Sequence, residues 1–296
     1  MGKSTLSSAA ACQLSRKYKV LLVSLDPAHN LGDIFNVPLG DKKKHFGDNL
    51  QLKEIDLEKR KRDYLRSQTE ALSGTYGYLQ ALNLDSHFSV LQYSPGIEEH
   101  VLLASIEETL RGEDDMDYVI FDTAPTGLTL RFLALPAITV TWIERLMDIR
   151  RQILRKRYTI RKIRGAREED TVLKHDERDD ALFIRLEAMR ENFEALSCTL
   201  KGESCSFIVV FNPDVLSYRE SGRLINGLRD LHLPVRLLID NKVTQDKEES
   251  ASRIEADIRK LAGGGIPLAR VRLRPETAGR KGERLYDIEE DLTSHL

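Results

Sequence analysis

The apolar run Tyr118-Val119-Ile120-Phe121 stops at a carboxylate, Asp122. Its length and β-branched content are those of a buried parallel strand. Such strands need helices on both faces, which restricts the chain to an α/β architecture. Ligands in open α/β sheets bind outside the C-terminal strand ends, so Asp122 is placed for chemistry. Pro125 and Gly127 then break regular structure, as in a loop that moves. The pattern recurs at Val20–Leu25 before Asp26, Ser206–Phe211 before Asn212, and Val235–Asp240 before Asn241. A last strand is predicted over Ile266–Leu273. Helical spacing fills the intervals at 6–14, 101–110 (with a stop at Gly112), 216–231 and 244–261. Regular alternation predicts a mostly parallel, doubly wound sheet.

The net charge is -2 with 31% charged residues, so nothing in the overall balance favours nucleic acid or anionic membranes. Apolar stretches are predicted to fall short of a membrane span, and no charged-then-apolar leader opens the chain. Leu6 breaks the myristoylation pattern after Met1-Gly2. Cys12, Cys198 and Cys205 are an odd, sparse set, which predicts free thiols in a reducing, cytoplasmic setting. The C-x6-C spacing of the last two is a poor metal signature.

Gly2-Lys3-Ser4-Thr5 carries the end of a P-loop. In the full motif, backbone N–H groups at a helix N-terminus cradle phosphates, a lysine pairs with them, and a hydroxyl ligates Mg²⁺. The Val20–Leu25 strand delivers Asp26-Pro27-Ala28-His29-Asn30, and the Tyr118 strand delivers Asp122-Thr123-Ala124-Pro125-Thr126-Gly127. Each loop alone reads equally well as a capped turn; three in this order point to a nucleotide.

Together these strings resemble the arsenite-pump and tail-anchored-protein-targeting ATPase family. The second loop and its continuation, Thr129-Leu130-Arg131-Phe132-Leu133 and Leu135-Pro136, match the family's second switch almost letter for letter. Leu128 departs from it, standing where the family has a histidine. Ser94–Glu99 also resembles a family element. The resemblance implies an α/β P-loop NTPase domain over 1–296, with helical insertions at about 36–90 and 137–205. It further implies ATP and Mg²⁺ as ligands and a homodimer that drives a membrane transporter or carries a membrane-protein client, in the cytoplasm or peripherally at the membrane. By the same resemblance, Gly2, Lys3, Ser4 and Thr5 hold phosphate, Ser4 and Asp122 serve the metal, and Asp26 positions the attacking water. Asn241 takes the adenine, with Pro275 and Glu276 packing on the base. The family's loop also has a preceding strand and a G-K-G-G-V stretch, whose valine Met1 replaces. Two explanations stand: a start further upstream, favoured because a GTG codon read as Met yields this opening, or a crippled phosphate site that binds nucleotide with little turnover.

Residues 36–89 are predicted to be charged helix, with Lys42-Lys43-Lys44 a wet loop. Between Arg145 and Arg167 lie ten Lys/Arg residues with Asp148 the only acid, and 168–180 turns acidic. This predicts a helical hairpin with complementary charged faces. A basic face for a membrane, an acidic protein or a transporter's loops is the sharper alternative. The targeting branch's Met-rich groove and C-x-x-C are missing here, and Cys198 and Cys205 do not match the pump's metalloid thiols. Gly263-Gly264-Gly265 follows a helix and is no phosphate loop. The tail from Arg284 is predicted to be a short helix.

Overall fold

The computed structural model describes residues 2–28, 30–75, 94–124, 126–164, 176–273 and 285–293. Pro125, Pro275 and Glu276 lie outside them, as do His29, Tyr76 and Tyr78. The chain divides into two compact units, one of Met1–Leu133 with Ser206–Leu296 and one of Ala134–Cys205.

The first unit opens with α1 (Lys3–Leu14), β1 (Val20–Ser24), α2 (Asn30–Phe35), β2 (Lys44–His45), β3 (Leu50–Glu54) and α3 (Leu57–Thr75). It continues with α4 (Ile97–Gly112), β4 (Tyr118–Asp122) and the first residues of α5 (Thr126–Arg164). β5 (Phe207–Phe211), α7 (Val215–Asp230), β6 (Val235–Val243), α8 (Glu248–Ala262) and β7 (Leu268–Arg272) complete it. The strands form two sheets, β2-β3-β1-β4 and β5-β6-β7. Every pairing is parallel except β2 with β3.

Burial explains the order. All five residues of β1 are buried, as a central strand covered on both faces requires. Four of the five residues in β4 are only half-buried, and in β5 Phe207 and Val210 are half-buried and Ile208 exposed, because each strand lies at the edge of its sheet. Helix α1 packs on both sheets through small residues. Ala11 and Leu14 join Val20, Leu22 and Leu52, while Leu6, Ala9 and Ala10 join Leu237, Ile239 and Val271. The run Ser8-Ala9-Ala10-Ala11 is fully or nearly fully buried, so larger side chains there would push the helix off the sheets.

The structure departs from the sequence reading in five places. β3 lies in a stretch read as helical; Leu50 and Leu52 anchor it, and Lys53 and Glu54 are buried with them. Lys44 belongs to β2 rather than a loop. Gly127 sits in the first turn of α5, which runs on through Pro136. The tail over 285–293 is turn and bend, held because Gln13 Nε2 donates to the Glu290 carbonyl at 2.8 Å and Gln13 Oε1 accepts from Leu292 N–H at 2.9 Å. Finally, Thr126–Ile160 is long and apolar enough to cross a bilayer by length and composition, although 28% of that window is buried inside the protein. All three cysteines are free thiols.

The second unit is a helical hairpin of α5 and α6 (Ala181–Lys201). Ile143 and Met147 pack with Phe183 and Leu186. Arg150 grips Asp180 with two hydrogen bonds of 3.0 and 2.6 Å, and Asp180 also accepts from Phe183 N–H at 2.9 Å to cap α6. Arg151 also pairs with Glu177 at 3.4 Å; Glu168, Glu169 and Asp170 of the predicted acidic face lie outside the described residues.

Candidate nucleotide site

Gly2 precedes α1 with φ +85°, a left-handed conformation that glycine adopts without strain. A Cβ there would lie 2.5 Å from the side-chain nitrogen of Asn241. Two independent constraints therefore demand glycine. Leu6 N–H bonds the Gly2 carbonyl at 3.1 Å, closing the first helical turn. The N–H groups of Lys3, Ser4 and Thr5 have no acceptor within the helix, and they carry the positive end of its dipole.

Parallel pairing brings the two loop carboxylates to the same place. Ser24 stands opposite Asp122, and Leu25 N–H donates to the Asp122 carbonyl at 2.8 Å. Asp122 is buried, and the Ser4 hydroxyl hydrogen-bonds its carboxylate. Burial pushes its acid up to about 6; the Asp26 charge adds to this, while the Ser4 hydrogen bond and Lys3 oppose it. Lys3 Nζ donates to the Ala124 carbonyl at 3.3 Å, and Thr129 Oγ1 donates to the same carbonyl at 2.9 Å. The lysine is thus held back against the second loop. Asp26 is half-buried and accepts from Ala28 N–H at 3.0 Å, which ties its loop into a tight turn.

Lys3, Ser4, Asp26 and Asp122 therefore converge on one end of the β1–β4 pair. Asn241 adjoins Gly2 from β6. Three participants were missed in the sequence. Glu54 is buried at the end of β3 and accepts from Gly32 N–H at 3.0 Å, anchoring the segment after Asp26. It escaped notice because its strand did. Ser24 Oγ accepts from Asp26 N–H at 3.4 Å. Lys242 follows Asn241 at a register shift in β6, with φ 60°, and its Cε lies 3.9 Å from where a Gly2 Cβ would stand. No periodicity announces a lysine in a strand irregularity.

A magnesium ion suits this donor set. Asp122 Oδ2 is buried without a hydrogen-bond partner, and Ser4 supplies a neutral oxygen beside it. Among the described residues no cluster of three or more His, Cys, Asp or Glu could hold a metal alone. That matches a cation which takes few protein ligands and fills its shell with water and substrate phosphates.

Parallel strands ending in paired carboxylates, against a helix opening on Gly-Lys-Ser-Thr, define a P-loop ATPase. The family model described as "Anion-transporting ATPase" matches residues 1–261, and the chain belongs to that family. It is 32% identical over 251 residues to the putative arsenical pump-driving ATPase 2 of Aquifex aeolicus (strain VF5), covering 84% of this chain and 79% of that protein. ATPase get3 of Pyrenophora tritici-repentis (strain Pt-1C-BFP) is 31% identical over 260 residues, covering 84% and 73%. ATPase GET3A of Arabidopsis thaliana is 31% identical over 262 residues, covering 86% and 67%.

Proposed function

We propose that the chain hydrolyses Mg-ATP at this site and couples the reaction to a membrane transporter of the anion-pump type. The observation that carries the reading is the convergence of Lys3, Ser4, Asp26 and Asp122 at the N-terminus of α1. Phosphoryl transfer to water needs positioning and charge neutralisation more than covalent chemistry.

In this reading the α1 N-terminus and Lys3 bind the β- and γ-phosphates. Lys3 gives up the Ala124 carbonyl to do so, and that exchange reports phosphate to the loop before α5. Ser4 and Asp122 would hold Mg²⁺, which when bound would supply electrostatic stabilisation of phosphate charge. Asp122 must ionise to serve it, and a cation beside the buried carboxylate favours that form. Asp26 accepts a hydrogen bond from the attacking water and so orients it. Asn241 can donate to and accept from an adenine edge at once. A homodimer in the cytoplasm, peripheral at the membrane, completes the proposal.

The test is phosphate release by protein made from its own locus with its own upstream DNA, with mantATP fluorescence to report binding. Asp26→Asn is expected to bind mantATP within about threefold of the native protein and release phosphate at least ~100-fold more slowly, as loss of a water-positioning group does. Tight binding by the native protein without release would overturn hydrolysis in favour of a nucleotide-binding regulator. Stimulation by arsenite would mark the pump output, and co-purification of hydrophobic membrane segments the targeting output.

A further inference from the structure

Asp240 is wholly buried, and neither of its carboxylate oxygens has a hydrogen-bond donor. It stands in β6 opposite Phe211 of β5 and Arg270 of β7. Arg270 is the cation beside it, but its guanidinium is committed elsewhere. Nε donates to Glu255 Oε1 at 2.8 Å and Nη2 to Glu255 Oε2 at 2.9 Å, a bidentate grip that leaves Asp240 out. Among the described residues two further acids face the cluster. Asp214, at the start of α7, accepts from Ser217 N–H at 2.8 Å, and Glu248 of α8 pairs with Arg272 at 3.9 Å.

Two carboxyl groups therefore share one guanidinium, and the cluster is neutral only while one proton stays on it. Burial first, and then the Glu255 carboxylate, favour keeping that proton on Asp240, whose O–H donates toward Glu255.

The proton matters because of the residue that follows. Asp240 and Asn241 are consecutive in a strand, so their side chains leave opposite faces. Asp240 meets Glu255 of α8, and Asn241 meets Gly2 at the start of α1, its amide nitrogen 2.5 Å from where a Cβ would stand. The pairing of β6 with β7 shifts register directly afterwards, between Asn241 and Val243, which weakens the ladder's hold on this end of the strand. Without the proton, a second carboxylate stands against Glu255 and no cation is left to receive it. β6 and α8 are then driven apart, and Asn241 moves with its neighbour out of a contact that has no slack.

We propose that Asp240 is a positioning residue for the nucleotide: its carboxyl, joined to Glu255 by a shared proton and clamped through Arg270, sets Asn241 against Gly2, so that loss of the proton weakens nucleotide binding. The proposal rests on the nucleotide reading of the site given above.

MantADP is titrated into the whole protein between pH 7.5 and 9.5, and carbon-13 NMR follows the side-chain carbonyls of Asp240 and Asn241 without nucleotide. The affinity of the native protein is expected to fall at least ~5-fold over that range. Asp240→Asn, whose amide donates to Glu255 and cannot ionise, is expected to match the native protein within about twofold at pH 7.5 and to stay level. Glu255→Gln removes the repulsion from the other side and is expected to level the profile as well. The Asn241 carbon is expected to shift along the Asp240 titration curve, and to stand still in Asp240→Asn. Affinity that is level in the native protein, or that falls equally in Asp240→Asn, overturns the proposal. So does far-UV circular dichroism showing the native protein unfolding over the same range, since the proton then serves stability alone. Failure to bind mantADP at any pH overturns the proposal through the nucleotide reading beneath it, and the carbon shifts tell that failure from a failure of the coupling.

Discussion

Gly2 and Asp122 set the chemistry of the site through constraints too local for any pattern to reveal. Gly2→Ala adds a Cβ 2.5 Å from the Asn241 amide and forces an L-residue to φ +85°. The left-handed cost alone is about 1–2 kcal/mol. MantATP affinity of Gly2→Ala is expected to fall at least ~10-fold. Asp122 has its folded-state acid raised to about 6 by burial. A raised carboxyl keeps its proton in the folded state after the unfolded chain has lost it. Its contribution is therefore intact below the unfolded value near 4 and is lost as pH rises through about 6. Thermal melts of the ligand-free protein should show that decline between pH 4 and 7, and Asp122→Asn should make it shallower. A decline unchanged in the variant would place the titration elsewhere.

At the scale of elements, strand ends were legible and strand edges were not. Asp26, Asp122 and Asn241 were visible because each terminates an apolar run, and the structure sets them about one end of the sheets. β3 was hidden because Lys53 and Glu54 look like surface residues. Burial of Glu54 is explained only once Gly32 N–H is seen to need an acceptor. The tail was misread because its apolar residues Ile288 and Leu292 pack against α1 without helical periodicity, their backbone satisfied by the Gln13 side chain. The hairpin was legible because opposite charges follow one another in sequence. Its clamp is sharply localised: Asp180 receives both arms of Arg150 and caps α6. Asp180→Ala loses the cap and leaves a partly buried arginine unpaired, at a cost of about 2–4 kcal/mol. Loss of far-UV helicity on heating, together with the Trp142 emission of the same unit, checks this. A melt unchanged within 1 °C would refute the clamp.

For the whole molecule, pH reaches stability through a cluster of Asp240, Glu255 and Arg270 on the β5-β6-β7 sheet. Asp240 in β6 is wholly buried beside Glu255 of α8, which Arg270 of β7 grips at 2.8 and 2.9 Å. Burial first, and then the Glu255 carboxylate, push the Asp240 acid up to about 8. By the same sign as Asp122, stability is lost as pH rises from about 4 through 8. Asp240→Asn should melt several degrees above the native protein at pH 9, about 2–4 °C for each kcal/mol regained, and match it only below about pH 4. What the chain shows of its β4 and β5 borders has a practical meaning. Each is a short, largely apolar edge strand, Tyr118–Asp122 and Phe207–Phe211, with neither proline nor lysine to fend off a neighbour. Molecules crowded at high concentration would stitch to one another along these ribbons, so the fold's most ATPase-like region is also where its colloidal fragility is concentrated.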